Sequence, residues 1–464
     1  MRVRVRLRLC RGWQVMGLKD LWNRFINSGL TPGVHVYNGF GELAHHRFHL
    51  RVDTDEKGVL IVDASKLIFL NGTALDYVRC MLEGKSDGET YSYMKGRYKK
   101  MDKATAIGHY KDVKEKVVRF MHGDVGVIEN IGTDTTTIGA DELPAPYRMD
   151  LALTYQCQND CLHCYNETRD KKEMNITQWQ AVIEKLWKLG IPHVVFTGGE
   201  PTSKPFLRDL IIKSESLGQI TGLITNGRAL GKKGYLRDLV KVGLDHVQIT
   251  VLSHKGSVHD KLVNAKGAWK ETIAGLKVAL KADLYVQTNT TIMKSNAQDV
   301  EETLRFLISL GVKNTAFNGI IRSGKGKNTE GITYEELTKV LTKLKGIADR
   351  EGVRMVWYTP TPYCEFNPVN YGFGIKQCTA CALNMAIEPD GKVIPCQSYY
   401  KPLGNILTDP WDKIWKHKLA EEIRHRNYIA NKCKECKLMQ VCGGGCPLSV
   451  KSGDYLCLDR HSSM

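Results

Sequence analysis

The chain has 464 residues, 42% of them hydrophobic, with 66 basic and 50 acidic side chains for a formal net charge of +16. That length holds two to three domains, and with no run of eighteen apolar residues a transmembrane helix is excluded on pattern grounds. The positive balance favours acidic partners, such as an acidic peptide, a carboxylate-rich tetrapyrrole or nucleic acid. The lysines are nevertheless scattered over helix faces, with no basic-aromatic stripe of the nucleic-acid kind.

Residues 1–15 alternate basic and apolar side chains, and five of the positive charges, Arg2, Arg4, Arg6, Arg8 and Arg11, sit there. This leader lacks the apolar core of a signal peptide. We expect an edge strand or an unused upstream start, with Met16 the authentic first residue and an amphipathic helix at once behind it. Within a first domain over 16–145, the order between Gly33 and about Gly123 is short strands followed by helices. His49–Val52 and Gly58–Val62 are strands around an Asp-Glu-Lys-Gly turn. Ile68 to Ala74 and a helical Leu75–Leu82 follow, closing on Gly84. The Leu-Asn-x-Thr-Ala pattern resembles the small peptide-binding, winged-helix-like PqqD domain, an α+β unit. A DNA-binding helix-turn-helix gives a similar string. His45, His46 and His49 gather here without a nearby cysteine and read as ordinary strand or surface residues.

After an apolar strand at Met149–Thr154 comes Cys157-x3-Cys161-x2-Cys164, followed by Tyr165. Three thiolates can hold three corners of a [4Fe–4S] cube and leave the fourth iron open for chemistry. The bland alternative is zinc, with Cys157 or His163 completing a distorted site around the Cys161–Cys164 pair. The spacing and its surroundings resemble the radical S-adenosylmethionine (SAM) superfamily. That resemblance implies SAM held on the open iron by its amino and carboxylate groups, and a 5′-deoxyadenosyl radical on one-electron reduction.

Further on, strand-like runs at His193–Thr197, Thr221–Thr225, His246–Val251, Leu284–Met293 and Asn314–Ile320 alternate with amphipathic stretches. Those lie at Thr177–Leu189, Pro205–Leu217, Leu236–Val242, Ala268–Lys281 and Gln298–Leu310. The rhythm indicates six parallel βα units over 146–350. By resemblance this is a partial, TIM-like (β/α)6 barrel; the sequence alone allows an open doubly wound sheet. Chemistry in such barrels sits where strands end. There lie Gly198, Gly199 and Glu200, matching the family segment that holds the SAM ammonium. Thr225 and Asn226 follow the third strand; Gln248 and Thr250 lie on the fourth, and Asn289 on the fifth. Arg322 stands where relatives place polar groups near SAM. The Gly324-Lys-Gly-Lys run lacks a phosphate-loop frame and reads as a basic loop.

The tail, 351–464, is rich in cysteine: Cys381, Cys396, Cys433, Cys436, Cys442, Cys446 and Cys457, with Cys378 just upstream as an eighth ligand and Cys364 in reserve. The series matches the SPASM extension of some radical SAM maturases. The resemblance implies two auxiliary [4Fe–4S] clusters, one on Cys378, Cys381, Cys396 and Cys446, the other on Cys433, Cys436, Cys442 and Cys457. An Asp-Gly hairpin over Ala386–Ile394 would fold Cys396 back towards Cys381. The alternative is a zinc ribbon on Cys433, Cys436, Cys442 and Cys446. Cys10, Cys80 and Cys364 are left as ordinary thiols, in a reducing, cytoplasmic setting.

The leading expectation is an anaerobic radical SAM/SPASM maturase that abstracts hydrogen from a peptide or small protein, served by a low-potential donor of the ferredoxin or flavodoxin type. Tetrapyrrole or metal-pterin cofactor chemistry is the alternative, and a non-catalytic iron–sulfur or zinc scaffold or sensor the remote one. Neither nucleic acid nor membrane is an expected partner.

Overall fold

A computed structural model describes residues 30–451 apart from residue 45 and the segments 54–56, 63–65, 123–128, 132–142 and 168–171. The basic leader, Met16, Cys10, His45 and Cys457 lie outside the described residues. The first strands are β1 (Gly33–Asn38), β2 (Arg47–Val52), β3 (Gly58–Val62) and β4 (Lys66–Leu70), an antiparallel sheet whose far edge is joined in parallel by β5 (Glu129–Ile131). Three helices, Gly72–Leu82, Asp87–Arg97 and Lys103–His122, pack on it. Asn71 starts the first of them, its Oδ1 accepting from the Ala74 N–H at 2.8 Å, so the Leu-Asn-x-Thr-Ala string is a strand end and a helix cap.

The second sheet carries β6 (Arg148–Thr154), β7 (His193–Gly198), β8 (Ile220–Thr225), β9 (His246–Thr250), β10 (Tyr285–Thr291) and β11 (Asn314–Asn318), all parallel. These are the six expected strands, each within a few residues of its anticipated bounds. A seventh parallel strand, β12 (Arg354–Trp357), follows a long helix at Tyr334–Arg350. Neither was anticipated, although Thr333 and Glu336 form a reciprocal capping box that marks the helix start.

On the other edge, β13 (Asn384–Ile387) lies parallel to β6, and β14 (Lys392–Ile394) turns back antiparallel through Gly391, as the hairpin reading requires. The ladder runs β12 through β6 to β13, β14 and β15 (Gly404–Asn405) without closing on itself. Arg148 from β6 and Tyr358 just beyond β12 nevertheless line one cavity, so the sheet curls into a partial barrel. The N-terminal sheet closes on this barrel from below. Val59 and Ile61 join the barrel's apolar core. Arg51, 2% exposed, donates to the Ala145 carbonyl at 3.0 Å and stacks over Tyr147. His49, expected as an ordinary strand or surface residue, is buried at this junction, its Nε2 2.7 Å from the Gly218 carbonyl oxygen.

Among the described residues no helix is long and apolar enough to cross a membrane.

Candidate active site and cluster-binding loops

Side chains alternate across each strand, so β9 turns Gln248 and Thr250 inward while Val247 and Ile249 are buried on the helix side. The inward residues of the barrel enclose a cavity of about 1260 Å³. Cys157, Cys161 and Cys164 line its upper wall, with Tyr165, Gly198 and Gly199 beside them. Thr225, Asn226, Gln248, Thr250 and Asn289 continue the wall round the strand ends. Asn289 Oδ1 is buried without a partner among the described residues, an orphaned acceptor facing a space large enough for a nucleoside-sized ligand.

Glu200 is not on that wall. It is 1% exposed, and its carboxylate already accepts from Thr202 Oγ1 at 2.6 Å, Thr225 Oγ1 at 2.7 Å, Asn226 N at 2.9 Å and Thr202 N at 3.1 Å. Burial raises its pKa against the pull of these donors. In this structure Glu200 ties the end of β8 to the turn after β7. The double glycine lies against the cysteine loop: Gly199 N–H donates to Thr154 O and Glu200 N–H to Gln156 O. Arg322 is off the wall too; its guanidinium donates to the Thr329 carbonyl at 2.9 Å, within its own loop.

That loop does what its sequence concealed. Gly326 N–H donates to Cys164 O, and Thr329 Oγ1 donates to Leu162 O at 2.7 Å. Lys325 pairs with Asp160, and Lys327 with Glu167 at 3.3 Å. The Gly324–Asn328 turn therefore braces the cysteine loop from one side. Leu162 N–H to Leu262 O, Asp160 N–H to Val263 O and Arg228 to Asn159 Oδ1 hold it from the other. Asn166, which the motif reading passed over, donates to Gly198 O and accepts from Tyr400 of the tail at 2.9 Å.

The tail thiols form two sets. Cys378, Cys396 and Cys446 line the same cavity as the first loop, and Cys381 is buried behind them. Burial, followed by the charge of a neighbouring tail thiol, pushes Cys378 up to about 12. Cys433, Cys436 and Cys442 lie together near solvent, away from the cavity, and the Tyr363 N–H donates to Cys442 Sγ at 3.3 Å. The two sets interleave because Gly443, Gly444 and Gly445 all take left-handed φ and turn the chain between Cys442 and Cys446. Cys364, expected as a free thiol, is instead disulfide-bonded.

The donor sets suit cubes better than single ions. Cys157, Cys161 and Cys164 stand on one loop and Cys378, Cys396 and Cys446 elsewhere on the cavity wall, and a cube takes each thiolate at a separate corner. Burial pushes Cys157 to about 11 and Cys161 to about 12, and a bound metal would hold both as thiolates.

The profile of the Radical SAM superfamily matches residues 151–307, and that of the SPASM iron–sulfur cluster-binding domain matches 378–437. The chain is a radical SAM/SPASM enzyme. Such an enzyme binds a [4Fe–4S] cluster with SAM in its first domain and auxiliary iron–sulfur clusters in its second. Among curated relatives, the AdoMet-dependent heme synthase of Methanosarcina barkeri is 23% identical over 331 residues, 67% of this chain and 95% of its own. The PqqA peptide cyclase of Methylobacterium nodulans is 26% identical over 346 residues, 69% of this chain and 87% of its own. In three dimensions this radical SAM/SPASM chain is similar to Streptococcus suis SuiB, solved with precursor peptide SuiA. The TM-score is 0.63 at 16% identity, over 88% of this chain and 95% of SuiB. The radical SAM/SPASM fold extends with it to the N-terminal antiparallel sheet.

Proposed function

We propose that this enzyme is a maturase that abstracts hydrogen from a residue of a peptide or small protein and leaves it oxidised. The observation that carries this is the single cavity walled by Cys157, Cys161 and Cys164 at one side and by Cys378, Cys396 and Cys446 at another. A substrate there lies between the first cysteine loop and the tail thiols. The names of the relatives, PqqA peptide cyclase and SuiB with its precursor peptide, support a peptide substrate.

On this reading Cys157, Cys161 and Cys164 hold the SAM cluster; Cys378, Cys381, Cys396 and Cys446 hold one auxiliary cluster; Cys433, Cys436, Cys442 and Cys457 hold the other. The bound cluster and SAM supply one-electron cleavage of the sulfonium and hence a hydrogen-abstracting adenosyl radical. The chain's own residues bind and orient: Thr225, Asn226, Gln248, Thr250 and Asn289 offer polar contacts to SAM, Tyr165 packs beside Cys164, and Glu200 fixes the Thr225–Asn226 turn from behind. Enclosure by the barrel excludes water from the reacting centre. Residues 16–145 serve as the PqqD-like peptide-recognition unit, 146–350 as the radical SAM core and 351–464 as the auxiliary-cluster domain. The setting is cytoplasmic, with a ferredoxin- or flavodoxin-type electron donor.

Tetrapyrrole chemistry is the second reading, favoured by the heme synthase relative; Arg148 lines the cavity, but its Nε already meets the Asp150 carboxylate at 2.6 Å. The deciding measurement is anaerobic 5′-deoxyadenosine formation by the reconstituted enzyme with low-mass extract of its host, untreated or protease-digested. Stimulation lost on digestion is the expected result. Stimulation that survives digestion transfers the site to a small molecule, and Cys161→Ala abolishes formation in either case.

A further inference from the structure

We propose that the surface around Cys433, Cys436 and Cys442 is the docking face for an acidic one-electron carrier protein. The inference rests on the reading of those cysteines as ligands of an auxiliary cluster. Of the three cysteine sets, the one at the first loop opens into the cavity, where Cys157 is exposed, and Cys378, Cys396 and Cys446 line that same cavity with Cys381 buried behind them. Cys433, Cys436 and Cys442 do not line the cavity: Cys436 is exposed outside it, and Cys433 and Cys442 are half-buried. This set is where electrons can pass between the protein and a partner without crossing the substrate space.

The surroundings have the charge such a partner needs. Lys432, Lys434 and Lys437 are all exposed within six residues of chain around Cys433 and Cys436, against the single acidic Glu435. None of the three lysines engages an acidic side chain among the described residues. Elsewhere on the tail, Lys413 and Lys416 are neutralised by Asp409 and Asp412 one helical turn away. Unpaired lysines beside a solvent-facing thiol set give a local positive field that steers an acidic protein and weakens with salt.

The face also has an apolar element. Leu438 is 38% exposed and Ile375 is 45% exposed. Gln377, two residues after Ile375, donates to the Gln440 carbonyl, two residues after Leu438, so both belong to one patch. A small apolar centre rimmed by lysines suits the small, short-lived interfaces of electron-transfer pairs. In the encounter the reduced carrier loses one electron and the enzyme's iron–sulfur centres gain it; no bond changes and no proton is transferred.

The test uses the full-length, cluster-reconstituted enzyme and flavodoxin as the probe, with affinity measured calorimetrically at about 50 and about 300 mM salt. The Lys432→Glu/Lys434→Glu/Lys437→Glu variant is compared with Lys266→Glu/Lys270→Glu/Lys277→Glu, an equal charge change on another exposed surface. The expected result is salt-sensitive binding that the first variant weakens by about tenfold or more and the second leaves within about twofold. Iron content and dithionite-driven 5′-deoxyadenosine formation stay at the wild-type level in both. Equal affinities in the two variants overturn the proposal, as does tighter binding of duplex DNA than of flavodoxin at the same lysines. Should the triple variant lose iron, Lys434→Glu and Lys437→Glu singly at full iron content decide by the same comparison. Absence of dithionite-driven cleavage in the wild type would instead strike the radical SAM reading of the first loop and leave the docking result standing.

Discussion

Glu200 Oε2 accepts the backbone N–H of Asn226 at 2.9 Å, joining the turn after β7 to the end of β8 behind the cavity wall. Three further hydrogen bonds reach Oε1. The motif at Gly198–Pro201 thus acts on the ligand side through the position it gives to Thr225 and Asn226. Glu200→Gln replaces one buried acceptor oxygen by a donor and leaves an N–H or a hydroxyl unmatched, which costs about 1–3 kcal/mol. We expect iron content to be kept and SAM affinity to fall by about tenfold, read by equilibrium binding at matched iron. An unchanged affinity would remove Glu200 from the positioning of this wall.

The brace on the cysteine loop depends on Gly324, whose φ is +51° and whose added Cβ would stand 2.6 Å from Cys164 O. Gly324→Ala adds about 1–2 kcal/mol of left-handed strain and forces the Gly324–Asn328 turn away from the loop. Iron should be lost from the first site and kept in the tail. Iron per chain, with the SAM-induced change in the reduced protein's EPR spectrum, measures it; full iron and a normal SAM response would refute the brace.

Cys378 lines the cavity beside Cys396 and Cys446, whereas Cys364 is disulfide-bonded and follows the residue whose N–H meets Cys442. Cys378→Ser should therefore remove up to about four iron atoms per chain, and Cys364→Ser none. The opposite ranking in iron analysis would make Cys364 the eighth ligand.

His193 and His246 meet at the foot of the barrel, Nε2 to Nε2 at 2.8 Å. Burial first, then the Arg148 charge, lowers His246 to about 3; burial, then His246 and Arg148, takes His193 well below its ordinary value. Both stay neutral in the folded chain while an unfolded imidazole takes a proton below about 6.5. A depressed folded pKa gives stability that is present above 6.5 and is lost as pH falls towards 3. Each histidine thus contributes up to about 1.4 kcal/mol per pH unit of acid destabilisation in that window. Urea midpoints at about pH 7.5 and 5.5 should differ less in His193→Gln/His246→Gln than in the wild type, and parallel slopes would contradict this origin.

Much of this molecule is written locally. The thiol spacing at Cys157, Cys161 and Cys164 fixes which atoms can take a cluster, because ligand identity and an eight-residue loop need no distant partner. The alternation of strands and helices from β6 to β11 follows from side-chain periodicity, which is also a local property. The β12 strand escaped notice because four residues carry too little pattern, and its pairing with β11 is settled by packing.

What tertiary structure alone decided are the contacts between segments far apart in the chain. Glu200 and Arg322 were read as ligand-facing from their places after strands, but their hydrogen bonds turn them to the Thr225–Asn226 turn and to the Thr329 carbonyl. The Gly324–Asn328 turn read as a plain basic loop because Asp160 and Glu167, its charge partners, are more than a hundred residues away. Which thiols share a cavity, and which face solvent beside unpaired lysines, depends on how β13 and β14 fold the tail against β6. Local spacing encodes what each residue can do; only the fold sets what it does it to, since burial and hydrogen-bond partners are shared properties of distant segments.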